Sequence, residues 1–164
     1  MTPKPAPEAL TSELAGAERI AVLAVGSELH GDDAAGLLVG HLLEQTPAAG
    51  LRVFLGSTAP ENCTGPMRQY RPSHLVIVDA ADIGALPGTI ELLDPSRLGG
   101  IPFTTHSLPL TVVLSYLGQS IPGCRAVVVG IQPESLEFGA EPTVRVAEAA
   151  RQVAAAIRAA ALGA

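Results

Sequence analysis

Residues 19–40 read RIAVLAVGSELHGDDAAGLLVG, and the change of pattern inside this stretch decides the fold. From Ile20 to Val25 the run is continuously apolar and stops at Gly26, as expected of a strand covered on both faces of a parallel sheet. From Asp32 the pattern turns helical, with Leu37, Leu38, His41 and Leu42 recurring at helical spacing until 46–50, TPAAG, ends the element. Many α/β proteins bind phosphate in such a strand–loop–helix unit. Here the loop carries two adjacent acids, Asp32 and Asp33, where anion binders place glycine and lysine.

Outward from this unit, strand and helix alternate. Apolar runs at 51–56, 73–80 and 124–132 read as strands, and 88–95, which alternates after a Leu-Pro-Gly turn, reads as an edge strand open to antiparallel pairing. Helices are expected from the capping-box spacing Thr58-x-x-Glu61, where Gly65-Pro66 should kink or shorten the element, over 105–119, and over 141–162. In the last, Val146, Ala150, Val153 and Ile157 share one face. The pattern predicts an α/β fold, a three-layer α/β/α sandwich on a mostly parallel five-stranded sheet. Residues 1–18, rich in proline, are expected to be a loose tail with a short helix over 8–16, and 19–164 a single domain.

Composition narrows the function. A formal charge of −6 argues against nucleic acid or an anionic membrane as partner. No apolar run reaches the length of a membrane span, and the N-terminal stretch has no apolar signal core, so a cytoplasmic protein is expected. Cys63 and Cys124 stand far apart and form no C-x-x-C, which suits reduced thiols.

Sites in open α/β sheets form outside the carboxyl ends of the strands. Asp32 and Asp33 follow the first strand, Thr58 to Asn62 the second, Asp79 and Asp82 the third, and Gln132 and Glu134 the fifth, while His106 stands at a helix entrance. Singly, each has an ordinary structural reading. Asp32 is expected to cap its helix, whereas Asp33 is free to project into the crevice. Taken together, Asp33, Asp79 and His106 make a two-carboxylate, one-imidazole metal site at a solvent-open edge, suited to a borderline ion such as Ni²⁺ or Zn²⁺. Asp33 is the candidate general base, and His30, Asp32 and Glu61 are accessory candidates. No phosphate-binding loop, dinucleotide loop, G-x-S-x-G or H-E-x-x-H occurs. Cys63 with His106 as base is an alternative nucleophile pair, set against a buried structural thiol. His41 and His74 receive no role.

These blocks, VGSELHGDDAAG, STAPEN, HLVIVDAADIGALPGTIELLDP, TTHSLPL and GIQPE in that order, resemble the nickel-iron hydrogenase maturation proteases. They are most similar to the type that processes the large subunit of formate-hydrogenlyase hydrogenase 3. The resemblance spans about residues 19–160. It implies the α/β/α sandwich, and metal-binding roles for Asp33, Asp79 and His106. It also implies an endopeptidase that removes the C-terminal extension of a nickel-loaded [NiFe]-hydrogenase large-subunit precursor. The nickel is then supplied by the substrate, with zinc or cadmium able to substitute. A non-cleaving, nickel-binding accessory protein docking on the same precursor is the alternative, and a nucleotide-binding domain a third. Two positions depart from the family pattern: Gly26-Ser27 stands where Gly-Asn is usual, and Ala34 where glycine usually follows the acidic pair.

Overall fold

The computed structural model describes residues 2–98, 103 and 110–163. Five strands, β1 (Ile20–Val25), β2 (Leu51–Ser57), β3 (His74–Ala80), β4 (Ile90–Leu93) and β5 (Arg125–Ile131), form one sheet in the order β2-β1-β3-β5-β4. β1 pairs in parallel with β2 and β3, and β3 with β5, so that Val22 faces Val53 and Val76, and Val76 faces Val127. β4 closes the far edge antiparallel to β5, with Leu92 opposite Val129. The expected edge strand is therefore present and shorter than its alternating pattern.

Side-chain alternation explains why β1 and β3 are apolar at nearly every position. Ile20, Val22, Val76, Val78, Val127 and Val129 point to one face, and Ala21, Leu23, Leu75, Ile77 and Val128 to the other. The first face is covered by helices α1 (Ala6–Glu13), α2 (Ala35–Gln45) and α5 (Val144–Gly163), the second by α3 (Thr64–Tyr70) and α4 (Leu110–Ser120). Val146, Ala150, Val153 and Ile157 of α5 are all fully buried, as their spacing predicts.

Two expectations are corrected. Residues before Arg19 are not a loose tail: α1 packs on α5 and β4, and Leu10, Leu14 and Ala17 lie in the core. Leu10→Ala is therefore expected to cost about 2–4 kcal/mol, read as a lower urea midpoint. An unchanged midpoint would return the segment to the status of a tail. Nor does the Thr58–Glu61 capping box form. Ala59 precedes a 3-10 turn, Pro60–Cys63, with no side-chain cap, and the α-helix proper starts at Thr64. Pro66 thus falls in the first turn of α3, where its missing N–H costs no intrahelical bond.

Candidate functional site

The chain leaves β1 for β2 on one side and returns to β3 on the other, so β1 and β3 flank the point where the strand order reverses. A crevice opens at the carboxyl ends of strands at such a point. Asp79 stands near the end of the β3 ladder, opposite Gly130. Asp33 lies in a 3-10 turn, Gly31–Ala34, that follows β1 and packs on β3. Two glycines allow this approach. Gly26, at φ +143°, leaves room for the Asp33 carbonyl, which accepts the Ser27 N–H at 3.2 Å. Gly36 lets the first turn of α2 press against the carbonyl oxygens of Val25 and Val78, at the ends of β1 and β3.

Asp32, Asp33 and Asp79 are all fully buried. The solvent-open edge expected from the sequence is thus corrected: the carboxylates of Asp33 and Asp79 both lie away from solvent. Asp33 and Asp79 are each engaged rather than free. Buried carboxylates carry a large desolvation cost unless a cation, a proton or hydrogen-bond donors offset it. This places oxygen donors in a low-dielectric surrounding, where an opposite charge is felt far more strongly than at the surface.

Asp32 does something that a helix cap would not. It makes no cap bond to its own helix. Its carboxylate instead accepts the backbone N–H groups of Glu134 at 2.8 Å, Ser135 at 3.0 Å and Thr143 at 2.6 Å, and the Thr143 hydroxyl at 2.8 Å. Thr143 immediately precedes α5, so the negative charge also faces the positive end of that helix. Asp32 thereby ties the loop after β5 and the start of α5 to the loop after β1. Gly31, at φ +54°, completes the contact, because a side chain there would strike the Ser135 carbonyl. Gln132 does similar work for the loop after β3. Its Oε1 accepts the Ile83 N–H at 2.8 Å and its Nε2 donates to Asp82 at 3.3 Å. Sequence pattern places Gln132 at this edge without a role and gives no hint of Thr143, whose only signal is its position before the helix.

The remaining candidates separate. His106 lies outside the described residues. Among the described residues no three His, Cys, Asp or Glu side chains group closely enough to hold a metal. His30 sets its ring edge-on against Phe138, centroids 5.4 Å apart, across an antiparallel bridge between the two residues. Glu61 has one buried carboxylate oxygen, Oε2, with no hydrogen-bond partner among the described residues. Burial, and secondarily the Glu61 charge, push the Cys63 thiol up from its ordinary value, so it is protonated near neutrality and poorly suited to attack. His41 pairs with exposed Glu28 at 3.0 Å. His74 sits at the opposite end of the sheet, beside Ser73 at 3.0 Å. Burial and the nearby Arg125 lower its pKa despite Glu13, which favours the neutral ring. A cleft of about 950 Å³ also lies at that opposite end, lined by Arg19, Arg68 and Arg71, and it takes no part in the acidic crevice.

The two departures from the family pattern are accommodated locally. Ser27 is buried and its hydroxyl accepts the Leu29 N–H at 3.1 Å, closing the loop. Ala34 is buried in the turn between Asp33 and α2.

Comparison with known proteins agrees with this architecture. A family model described as hydrogenase maturation protease matches residues 38–160. The hydrogenase 3 maturation protease of Escherichia coli K12 is 36% identical over 118 residues, covering 71% of this chain and 74% of that protein. The crystal structure of a [NiFe] hydrogenase maturation protease, HycI, from Thermococcus kodakarensis KOD1 superposes with a TM-score of 0.86 at 30% identity, over 94% of this chain and 99% of that one. A crystal structure of the hydrogenase 3 maturation protease gives 0.75 at 33% identity, over 84% and 87%. With the sequence match spanning most of the domain and the fold matching nearly end to end, the chain belongs to the hydrogenase maturation protease family.

Proposed function

We propose that this protein is the endopeptidase that removes the C-terminal extension of a nickel-loaded [NiFe]-hydrogenase large-subunit precursor. In this reading Asp33, Asp79 and His106 meet the nickel that the precursor carries. The observation that carries it is the full burial of two carboxylates where the sheet order reverses, Asp33 in the 3-10 turn that follows β1 and Asp79 near the end of the neighbouring β3. Such a pair is chemically suited to a divalent cation, and two oxygens with one imidazole suit Ni²⁺ better than a hard ion such as Mg²⁺. The site has no thiolate of its own, so it binds free metal weakly, and a substrate that holds nickel through its own ligands supplies the missing affinity. Asp33 accepts the proton of the attacking water as it adds to the scissile carbonyl, and returns that proton to the departing amine.

The test incubates the protein with large-subunit precursor, nickel-loaded or nickel-free, and follows the shortened product on a gel. Rapid shortening of the loaded form alone is the expected result. A stable complex without shortening supports the non-cleaving accessory protein instead. Equal shortening of both forms removes nickel recognition while leaving the protease in place.

A further inference from the structure

We infer that a ledge formed by Leu29, Leu136 and Phe138 is the surface on which the precursor's peptide segment is held beside the acidic crevice. Asp32 is the positioning residue that fixes this ledge. The inference rests on the proposed function and names how its substrate is gripped.

Residues 29–32 and 135–139 run antiparallel. The Gly139 N–H donates to the Leu29 carbonyl at 2.8 Å, His30 bridges Phe138, and the Asp32 N–H donates to the Ser135 carbonyl at 2.9 Å. This short ribbon lies outside the main sheet, yet it is held firmly by the buried Asp32 carboxylate and its donors at 134, 135 and 143. Its apolar side chains face water: Leu29 is 61% exposed, Leu136 42% and Phe138 71%. A loop built only to connect β5 to α5 has no need of two exposed large apolar groups, Leu136 and Phe138, and such groups on a rigid support, with Leu29 on the facing segment, mark a contact surface. Mobility confers no advantage on them either, because the Asp32 clamp leaves the ribbon little freedom.

Two features select the occupant. The ledge adjoins the acidic turn, since Asp33 directly follows the clamp residue and its N–H bonds the His30 carbonyl at 3.0 Å. A chain lying on the ledge therefore runs alongside the turn that carries Asp33. The rim is also acidic: Glu28, Glu134, Glu137 and Glu141 are exposed, and segments 27–34 and 132–143 contain no lysine or arginine. That combination fits an extended peptide with apolar side chains and basic flanks. A second copy of this chain would bring the same acidic rim against itself.

The test measures cleavage of nickel-loaded precursor over a range of concentrations. It compares the unmodified protein, the Leu29→Ala/Phe138→Ala double variant and Glu137→Lys, with Leu162→Ala as control. Leu162 is 70% exposed in the last turn of α5. The double variant is expected to raise KM about tenfold with kcat within about twofold, and to keep its circular dichroism and melting curve. Glu137→Lys is expected to raise KM in a salt-dependent way, and Leu162→Ala to change neither constant. An unchanged KM in the double variant overturns the inference and leaves the proposed function standing. If sedimentation shows the double variant only converting a dimer to a monomer, with KM unchanged, the ledge is a self-association surface and the inference is likewise overturned. Failure of the unmodified protein to bind or cut the precursor removes the proposed function, and the inference with it.

Discussion

Gly36→Ala is expected to remove a large part of the folding stability of this protein. A Cβ at that position would fall inside the carbonyl oxygens of Val25 and Val78 and lie 3.0 Å from the Val25 nitrogen. All three atoms belong to the backbone of β1 and β3, the two central strands, and neither strand can retreat without breaking its parallel ladders. The first turn of α2 would have to lift away, exposing Ala35 and Val39, both fully buried. A loss of about 3–5 kcal/mol follows from overpacking against unyielding backbone, set against a total of roughly 5–15 kcal/mol for a domain. Gly65→Ala is the matched control. That glycine lies in α3, and a methyl added to it would meet nothing within 4 Å, so the change should be neutral or stabilise by about 0.5–1 kcal/mol. Urea denaturation of both variants decides the matter. A Gly36→Ala midpoint equal to that of the unmodified protein would mean that α2 does not sit where described.

The second large effect divides two neighbouring acids. Asp33→Asn and Asp79→Asn are each expected to reduce processing of loaded precursor by about 100-fold or more, while the fold is retained. Asparagine keeps the shape and one acceptor oxygen, and it removes a charge from a buried place rather than adding one. Asp32→Asn should behave in the opposite sense. Its carboxylate accepts bonds from four donors, and an amide turns part of that acceptor surface into donors facing donors. A stability loss of about 2 kcal/mol is expected, with any activity loss following from the displaced loop. Denaturation midpoints and cleavage yields, measured side by side, separate the two roles. Full cleavage by both Asp33→Asn and Asp79→Asn would remove the metal-recognition mechanism.

The contrast between these acids also marks how far the sequence is legible. Asp33 and Asp79 stand out because each follows or ends an apolar run, and carboxyl ends of strands are readable from local pattern. That β1 and β3 are neighbours is a matter of strand order, which pairing at long range decides and local periodicity does not encode. Asp32 reads locally as a helix cap because its true donors lie 102, 103 and 111 residues away. Thr58 and Glu61 have the spacing of a capping box, yet Pro60 starts a 3-10 turn before such a box can close. The segment before Arg19 looks loose because of its prolines, although Leu10 and Leu14 stand one helical turn apart and bury fully against α5. His106, the imidazole of the expected site, falls outside the described residues, so its place beside the two acids rests on the proposal.

The Asp32–Thr143 clamp closes a loop of 111 residues, and this bears on how the molecule is assembled. Contacts of such separation form late, because the entropy of bringing distant segments together must be met before the contact returns anything. During synthesis β1, α2, β2 and β3 can associate while the segment carrying β5 and the start of α5 is still unmade. The loop bearing the acidic pair therefore stays unlocked until the final helix docks. A partly made chain has the acidic loop without the contacts at 134, 135 and 143 that orient it, so that loop reaches its final form only once the C-terminal third of the chain is in place.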